Sequence, residues 1–377
     1  MTDGYDGRMR PRLEQITLRG FKTIRDLTAF EPGDLTVLIG PNGAGKSNFI
    51  SFFRMLSWSL ADPGQLQLYV GQQGGASTIL HRGPTVTREV EAELSLATES
   101  GRNDYGFRLF HAAGDTLIYA DEWFHFLPAN RNGPKSSLGA GHREPKLLER
   151  AGQAQQTPRA ILGMLRRIIV HQFHNTSSTA RIRDKWDAAD GRYLKEDGGN
   201  LGAFLANLQT FHASHYQRIV QTIRLILPFF ATFELYNDFG KILLQWREIG
   251  SDQIMNAAQA SDGMLRAFAL VALLQQPEAS LPDVLILDEP ELGLHPYAIE
   301  VLAGLIQAVS QHVQVIVATQ SASLIDRFEP SDIVVVDRNA EGTTLRRLDE
   351  TALAGWLEDY TLSELWEKNV FGGRPTP

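Results

Sequence analysis

The pattern of apolar and polar positions predicts buried strands at both ends of the chain. Short unbroken apolar runs with β-branched residues are typical of strands that are covered on both faces. Four such runs stand at 35–39, 284–288, 313–318 and 333–337. Alternating runs indicate strands with one solvated face, and they stand at 13–18, 88–96, 105–111 and 116–119. The chain is therefore predicted to open on a β-rich meander and to contain a second, buried sheet.

Helical spacing of apolar residues predicts several helices between these strands. They stand at 49–60, 161–169, 200–226 (as one or two helices) and 297–310. The apolar stripe within 200–226 is more typical of a core face than of a ligand site. Residues 71–75 are predicted to be a glycine–glutamine loop. Residues 128–158, rich in Gly, Pro, Ser, Gln and charge, are predicted to be an extended or mobile connection.

The order of elements near the carboxyl end predicts a parallel sheet. Residues 284–318 place one helix between two buried strands, and such crossovers are right-handed. The buried run at 35–39 stands far upstream of them. We therefore predict an α/β fold whose mixed sheet is built from both chain ends, with an inserted lobe that passes from α/β to helical structure. The predicted segments are 1–125, 126–255 and 256–377.

Composition excludes several classes of protein. The chain of 377 residues contains no cysteine, which excludes a disulfide framework and thiolate chemistry and is compatible with a reducing cytosol. No stretch approaches the roughly 18 uninterrupted apolar residues of a membrane span. The polar opening residues lack the apolar core of a signal peptide. We therefore expect a cytoplasmic protein with no membrane partner.

Charge is distributed unevenly along the chain. The net charge is −8, yet residues 131–195 carry thirteen Lys and Arg against five Asp and Glu. This asymmetry favours an anionic partner, for which DNA is the candidate. An equally good alternative is that the acidic remainder of the fold balances the charge.

One glycine-rich turn carries the strongest chemical signal. Residues 40–47 read Gly-Pro-Asn-Gly-Ala-Gly-Lys-Ser, the phosphate-binding P-loop pattern, between a predicted strand and a predicted helix start. Backbone N–H groups in such a turn bind phosphate, and bulky side chains would block its approach. Lys46 would reach the β- and γ-phosphates, and the Ser47 hydroxyl would hold Mg²⁺. The candidate nucleotide-binding residues are Asn42, Gly43, Ala44, Gly45, Lys46, Ser47 and Asn48.

Two carboxylates stand at the end of the run at 284–288. Asp288 ends the predicted strand, and an aspartate in this position beside a P-loop helps to hold Mg²⁺. Glu289 follows and can polarise water for attack on the γ-phosphate as a general base. A solvated acidic turn is the alternative, which the P-loop in the same chain disfavours. The sequence thus predicts an ATPase that uses ATP and Mg²⁺.

The residues around Asp288 resemble a known family. Asp288–Pro296 resembles the Walker B motif and D-loop of ABC-type ATPases, in the branch shared by SMC, RecF and OLD-family proteins. Upstream, Ser261-Asp262-Gly263 resembles the ABC signature motif, with Asp in place of the first Gly. The resemblance implies a P-loop NTPase fold of the SMC/RecF-head type. It also implies that the signature binds the γ-phosphate held by a second copy, so that a homodimer clamps two ATP molecules.

Three further residues are candidates through the same resemblance. Gln320 stands at the switch position, where many relatives have His. Glutamine can orient water or sense the γ-phosphate, but it cannot shuttle a proton near neutral pH. Lys22 resembles a residue that lies beside the base and ribose, with an ordinary surface lysine as the alternative. Gln73, or its neighbour Gln72, is the candidate Q-loop residue and metal ligand, with a plain glycine loop as the alternative.

The resemblance extends less clearly to residues 173–201 and to the tail, 357–375. The chain shows no sustained heptads, so we expect no long coiled coil. About fifty residues follow the switch strand, too few for the TOPRIM domain of OLD-type nucleases. We therefore expect any effector, such as a nuclease or toxin, to be a separate polypeptide.

Two functions compete at this point. The first is an ATP-dependent switch that dimerises on ATP, hydrolyses it and transmits the change to DNA or an effector, in DNA repair or anti-phage defence as the resemblance implies. The second is a nucleotide-gated scaffold that holds an effector inactive with negligible turnover, a reading motivated by Gln320. A transporter subunit is disfavoured, because the inserted lobe and the opening arm resemble the SMC/RecF side.

Overall fold

The structure, a computed structural model, describes residues 10–128, 134–153 and 155–372. Its strands are β1 (Arg12–Phe21), β2 (Ile24–Phe30), β3 (Leu35–Ile39), β4 (Glu89–Thr98), β5 (Gly101–Ala112), β6 (Thr116–Pro128), β7 (Ser136–Gly139), β8 (Ile168–His171), β9 (Trp186–Asp187), β10 (Phe230–Phe233), β11 (Asn237–Asp238), β12 (Lys241–Ile242), β13 (Gln245–Glu248), β14 (Ile254–Asn256), β15 (Val284–Asp288), β16 (Gln314–Thr319), β17 (Ile333–Arg338) and β18 (Thr343–Arg347). Its α-helices are α1 (Lys46–Ala61), α2 (Gln65–Gln72), α3 (Ala76–Ile79), α4 (Lys146–Gly152), α5 (Gln156–Leu165), α6 (Leu201–Phe211), α7 (Ala213–Ile226), α8 (Asp262–Leu274), α9 (Pro296–Ser310), α10 (Ala322–Ile325), α11 (Glu350–Leu357) and α12 (Leu362–Glu367).

A six-stranded sheet, here called the core sheet, lies at the centre of the fold in the order β18-β17-β3-β16-β15-β8. Neighbouring strands are parallel except β18, which runs antiparallel to β17. β3 comes from the start of the chain and lies between β16 and β17 from its end, as the sequence predicted. The carboxyl ends of β3, β16, β15 and β8 therefore meet at one edge.

Alternate side chains of the core sheet face two different hydrophobic layers. On β3, Leu38 packs with α1 and the N-terminal strands, whereas Val37 and Ile39 pack with α6, α7, α8 and α9. A parallel sheet covered on both faces requires apolar residues throughout, which explains the unbroken apolar runs. The loops at the carboxyl edge are thus held from both sides.

A second six-stranded sheet, in the order β2-β1-β4-β5-β6-β7, is antiparallel and confirms the meander predicted near the amino end. Two three-stranded sheets, β10-β13-β14 and β11-β12-β9, belong to the later part of the chain. Across the described ranges, every helix is too short or too polar to cross a lipid bilayer.

The prediction of a structureless connection over 128–158 is wrong where the residues are described. This stretch contains β7, α4 and the start of α5. The buried Glu122 on β6 accepts the backbone N–H groups of Lys146 and Leu147, at 2.8 and 3.1 Å. A carboxylate distant in sequence thereby caps the start of α4, which local composition cannot show. Residues 129–133 and 154 lie outside the described residues.

The helix predicted over 161–169 is wrong in its second half. α5 ends at Leu165, and β8 begins at Ile168 as the edge strand beside β15. The β-branched Ile168, Ile169 and Val170 favour this strand. The region 200–226 forms two helices, one of the two predicted alternatives. The division into three segments stays a prediction: β7, from the middle segment, joins the N-terminal sheet, and β8 joins the core sheet.

Candidate functional site

The loop from Gly40 to Gly45 joins β3 to α1 in a conformation that requires glycine. Gly45 has φ +118°, and a Cβ there would lie 2.2 Å from the Thr343 hydroxyl oxygen. Gly43 has φ +80°, in the left-handed region, and open space beside it. α1 starts directly afterwards without a side-chain cap, so its first N–H groups suit an anion.

Lys46 is the first residue of α1 and is 4% exposed. Its ammonium group donates hydrogen bonds to the carbonyl oxygens of Gly40 and Pro41 in its own loop. Burial lowers the pKa of Lys46, while the nearby carboxylates of Glu289 and Asp288 act in the opposite direction. The side chain is therefore folded back over the loop that would hold phosphate, beside acidic groups.

A cleft at the carboxyl edge of the core sheet brings most of the predicted catalytic residues together. It is lined by Pro41, Asn42, Gly43, Gly45, Lys46, Ser47, Asn48, Glu289 and Gln320. Ala44 belongs to the same loop but is buried. The amide nitrogen of Gln320 donates to a Glu289 carboxylate oxygen at 2.5 Å. Glu289 has φ +43°, which a non-glycine residue rarely adopts and which is common at functional sites.

Asp288 lies behind this cleft and is 4% exposed. One carboxylate oxygen accepts a hydrogen bond from the Gln172 amide at 2.9 Å. The other is buried with no hydrogen-bond partner among the described residues. Burial raises the pKa of Asp288. A buried carboxylate oxygen without a hydrogen-bond partner among the described residues fits a hard cation such as Mg²⁺.

Gln172 is the residue at this site that sequence reasoning missed. It follows β8 directly, and β8 runs parallel to β15, so Gln172 and Asp288 emerge at the same edge. Arg54 of α1 donates to the Gln172 side-chain oxygen, and the Gln172 amide also donates to His174 Nδ1 at 2.7 Å. His174 Nε2 donates to the Asp288 carbonyl oxygen at 3.0 Å. The β-branched run ahead of Gln172 was the available signal.

The geometry does not bring Gln73 to Asp288. Gln73 follows α2, and its side-chain oxygen accepts a hydrogen bond from the Lys22 ammonium group at 3.3 Å. Neither residue is among those lining the cleft. The opening strands reach the P-loop instead through Thr23, whose hydroxyl accepts a hydrogen bond from the Asn48 amide at 2.7 Å. Gln172, rather than Gln73, is thus the glutamine that the structure places beside Asp288.

The predicted signature residues lie at the start of α8, outside the cleft. Ser261 caps the helix by accepting the Met264 N–H at 3.3 Å, and its side chain is exposed. Asp262 pairs with the Arg183 guanidinium at 3.5 Å. A Cβ on Gly263 would lie 2.5 Å from the Gly293 carbonyl oxygen, so the two glycines allow close contact between signature and D-loop. We call Ser261, Asp262 and Gly263 the signature edge.

Arg266 connects the signature edge to the residues around Asp288. Its guanidinium donates to the carbonyl oxygens of Phe173 (3.1 Å), His174 (3.1 Å) and Leu292 (2.9 Å). The same guanidinium would lie 2.6 Å from a Cβ on Gly293. One arginine on α8 thus holds both the loop after Gln172 and the D-loop.

Glu291 connects the D-loop to the switch position. Its carboxylate is buried and accepts hydrogen bonds from the Thr319 hydroxyl at 2.5 Å and the Gln320 N–H at 3.4 Å. Burial raises the pKa of Glu291. The Thr319 side chain and the Gln320 N–H are therefore held to the turn that carries Glu289.

The basic middle segment is partly neutralised within the fold. Four of its cations form ion pairs with acidic residues outside the segment. These pairs are Arg167 with Asp283, Arg181 with Asp197, Arg183 with Asp262 and Lys185 with Asp238. These pairs favour the alternative in which the remainder of the fold balances the positive charge. Residues 131–133 of the segment lie outside the described ranges.

A glycine loop at the head of α1, facing Glu289 and Gln320 across one cleft, defines a P-loop ATPase head of the ABC type. The chain belongs to the family described as "AAA domain, putative AbiEii toxin, Type IV TA system", whose model matches residues 35–326. The predicted resemblance is thereby confirmed.

Solved structures confirm the predicted fold. An Smc head bound to the C-terminal winged-helix domain of ScpA superposes with a TM-score of 0.60 at 16% identity, covering 91% of this chain and 99% of that one. The Smc head domain of Pyrococcus furiosus, solved with an extended coiled coil and the C-terminal domain of ScpA, gives 0.58 at 14% identity, covering 93% and 99%. At these identities the likeness shows the fold alone.

Curated relatives match over short segments only. The chromosome partition protein Smc of Mycolicibacterium paratuberculosis is 40% identical over 62 residues, which is 16% of this chain and 5% of that protein. The Smc protein of Thauera aminoaromatica is 32% identical over 114 residues, 29% of this chain and 8% of that protein. The chain therefore corresponds to a small part of the length of these relatives.

Proposed function

We propose that this chain binds ATP with Mg²⁺ in the cleft, hydrolyses it, and closes with a second copy of itself around two nucleotides. One observation carries the proposal: the P-loop, Glu289 and Gln320 line a single cleft, while the signature edge is exposed away from it. Each copy would therefore supply the cleft of one composite site and the signature edge of the other.

Each residue of the cleft has a role in this proposal. Lys46 and the N–H groups at the start of α1 bind the phosphates. Ser47 and Asp288 would hold Mg²⁺, with Gln172 beside them, and the ion would neutralise charge on the phosphate oxygens. Glu289 polarises the attacking water, and Gln320 orients it by hydrogen bonding. ADP and inorganic phosphate are the products.

The second copy completes the site from the other side. Ser261 already directs its hydroxyl to the first turn of a thirteen-residue helix, where N–H groups favour an anion. In the closed dimer the signature edge of each copy would cover the γ-phosphate held by its partner.

A Glu289→Gln variant tests hydrolysis and closure together. The amide keeps the shape of the side chain but cannot act as a base, so ATP should accumulate in the closed form. We expect the dimer mass in light scattering with ATP, the monomer mass with ADP, and a loss of phosphate release. A Lys46→Ala variant, as the control, should stay monomeric with ATP. A Glu289→Gln protein that remains monomeric at saturating ATP would contradict the clamp.

The second candidate, a nucleotide-gated scaffold, is favoured by the hydrogen bond from Gln320 to Glu289, which engages the base before any substrate arrives. In this case the chain binds ATP but releases almost no phosphate. A basal hydrolysis rate that disappears in Glu289→Gln excludes the scaffold, whereas tight ATP binding with no phosphate release over hours supports it.

We further propose that the chain acts on a separate effector protein, such as a toxin or nuclease, in anti-phage defence or DNA repair. The family description names a toxin system, and a solved Smc head carries a separate winged-helix partner. Direct DNA contact by residues 131–195 is the other proposed output. Because phosphate contacts weaken with salt, binding that is unchanged between low and moderate salt would contradict it.

A further inference from the structure

The C-terminal tail, described over residues 357–372, contacts the segment that carries Gln320. We call residues 319–326 the switch segment. Asp326 ends it, and its two carboxylate oxygens accept the Ser363 N–H at 2.7 Å and the Ser363 hydroxyl at 2.6 Å. Hydrogen bonds to a carboxylate are stronger than neutral ones. We call this pair, Asp326 and Ser363, the tail clasp.

The switch segment needs support from outside itself. It contains α10, a helix of four residues that starts two residues after Gln320. A single helical turn is not stable alone, because the entropy lost in forming it exceeds the gain from one hydrogen bond. Ser321 caps its start, and Leu324 and Ile325 are fully buried below it. The position of Gln320 therefore depends on what holds α10 in place as well as on its hydrogen bond to Glu291.

The tail can provide that support because it contains a capped helix and buried apolar side chains. Thr361 and Glu364 form a reciprocal capping box at the start of α12. Leu362, Leu365 and Phe371 are buried in the same hydrophobic cluster as Leu324 and Ile325. Ser363 therefore reaches Asp326 as part of an ordered element rather than as a loose chain end.

We infer that the tail clasp is a positioning device for the ATPase site. It fixes α10, and through α10 it holds Gln320 at the distance from Glu289 that the water-activating step requires. This inference rests on the proposed ATPase function. Asp326 and Ser363 are not among the described residues that line the cleft, so we expect them to act through Gln320. Nucleotide binding, which depends on the P-loop, is expected to be independent of the clasp.

The variants Ser363→Ala and Asp326→Ala test this inference. We expect kcat for ATP hydrolysis to fall about fivefold to tenfold in Ser363→Ala and further in Asp326→Ala, because small misplacement of a catalytic group is costly. The Kd for ATP should stay within about twofold of wild type, since the P-loop contacts are untouched. Ser363→Thr keeps both donors and should restore most of the rate. The double variant should be no slower than Asp326→Ala.

Thr351→Ala is the matched control. Thr351 also directs its N–H and hydroxyl to one carboxylate, that of Asp349, at 3.0 and 2.6 Å, but the pair lies outside the switch segment. Its kcat should equal that of wild type. Equal losses in Thr351→Ala and Ser363→Ala would overturn the inference, because they would show a general effect of substitutions near the carboxyl end rather than an effect of the clasp.

Hydrogen–deuterium exchange separates this inference from the proposed function. Amides of 319–326 should exchange faster in Asp326→Ala and Ser363→Ala than in wild type or Thr351→Ala. Wild-type exchange and wild-type kcat in both clasp variants would refute the clasp. If the wild-type protein hydrolyses no ATP, the proposed function fails, and the exchange comparison still decides whether the tail restrains the switch segment.

Discussion

The cleft and the signature edge are the two halves of the proposed site, and they differ in how complete they are. In the cleft, Lys46 is buried and the Glu289 carboxylate already accepts a hydrogen bond from the Gln320 amide, and Asp288 is buried behind it. At the signature edge, Ser261 is exposed, and its hydroxyl accepts a hydrogen bond from the first turn of its own helix.

This difference shows which half is preorganised within one chain. Lys46 and Asp288 are buried, and charge interactions are strong in such a low-dielectric environment. To meet phosphate, the Lys46 ammonium group need only turn away from the carbonyl oxygens of Gly40 and Pro41 in its own loop. The signature edge gains partners only if another molecule approaches it. Binding is thus expected to be a property of the monomer, and rapid hydrolysis a property of the dimer.

Lys46→Ala should give the largest effect, because it removes the phosphate-binding ammonium group from the cleft, the half of the site that is preorganised within one chain. Loss of a buried ammonium group beside the phosphates should weaken ATP binding more than about 100-fold. Calorimetric titration measures this, with circular dichroism as the check on folding. Binding within about tenfold of wild type would mean that the cleft is not the nucleotide site.

Mixing two inactive variants tests whether the halves come from different copies. Lys46→Ala removes the cleft half, and Ser261→Arg blocks the signature edge with a bulky side chain. Each alone should be inactive, while an equimolar mixture should recover up to about a quarter of the wild-type rate, the limit for random pairing, because each mixed dimer contains one intact cleft facing one intact signature edge.

A mixture as inactive as its components would show that both halves act within one chain or that no dimer forms. The double variant carrying both changes is the control and should not be rescued by either single variant.

Arg266→Met tests the connection between the halves. Removing the guanidinium leaves three carbonyl oxygens without their donor, and the free energy of unfolding should fall by about 2–4 kcal/mol. Arg25, which is exposed and paired with Glu341, is the matched control, and Arg25→Met should cost less than about 0.5 kcal/mol. Urea unfolding curves give both values. Equal effects in the two variants would mean that Arg266 makes no structural link.

Lys22→Ala should give the smallest effect. Lys22 contacts Gln73 rather than the cleft lining, although burial lowers its pKa. We expect ATP binding to weaken by about twofold to fivefold, the size of a partly exposed interaction. Fluorescence titration with a nucleotide analogue measures it, and Lys185→Ala, in an exposed ion pair, is the control. A loss above about 50-fold would place Lys22 on the nucleotide itself.

Sequence alone predicted the core of the cleft because its signals are local. The four buried strands read as unbroken apolar runs, and the P-loop and Asp288-Glu289 stand directly at their ends. Because the carboxyl ends of parallel strands lie at one edge of the sheet, residues that directly follow these strands come close together in the fold. The separate placement of the signature edge followed from its resemblance rather than from any local pattern.

The features that were missed depend on contacts between distant parts of the chain. Gln172 follows a strand of only four residues; its β-branched residues favour a strand, but its place beside Asp288 depends on pairing with β15. α4 starts where Glu122, more than twenty residues earlier, accepts its first N–H groups. The tail clasp joins residues 37 positions apart. Periodicity within a short window cannot report such pairings.

The order of strands in the core sheet also has a consequence for how the protein is made. β3 pairs with β16 and β17, which come from residues 314–338. Contacts between such distant segments form late and slowly. While the ribosome is still translating the middle of the chain, the strand ahead of the P-loop has neither native neighbour. A nascent chain that stalled before residue 314 would thus carry the whole Walker A sequence and yet be unable to hold ATP.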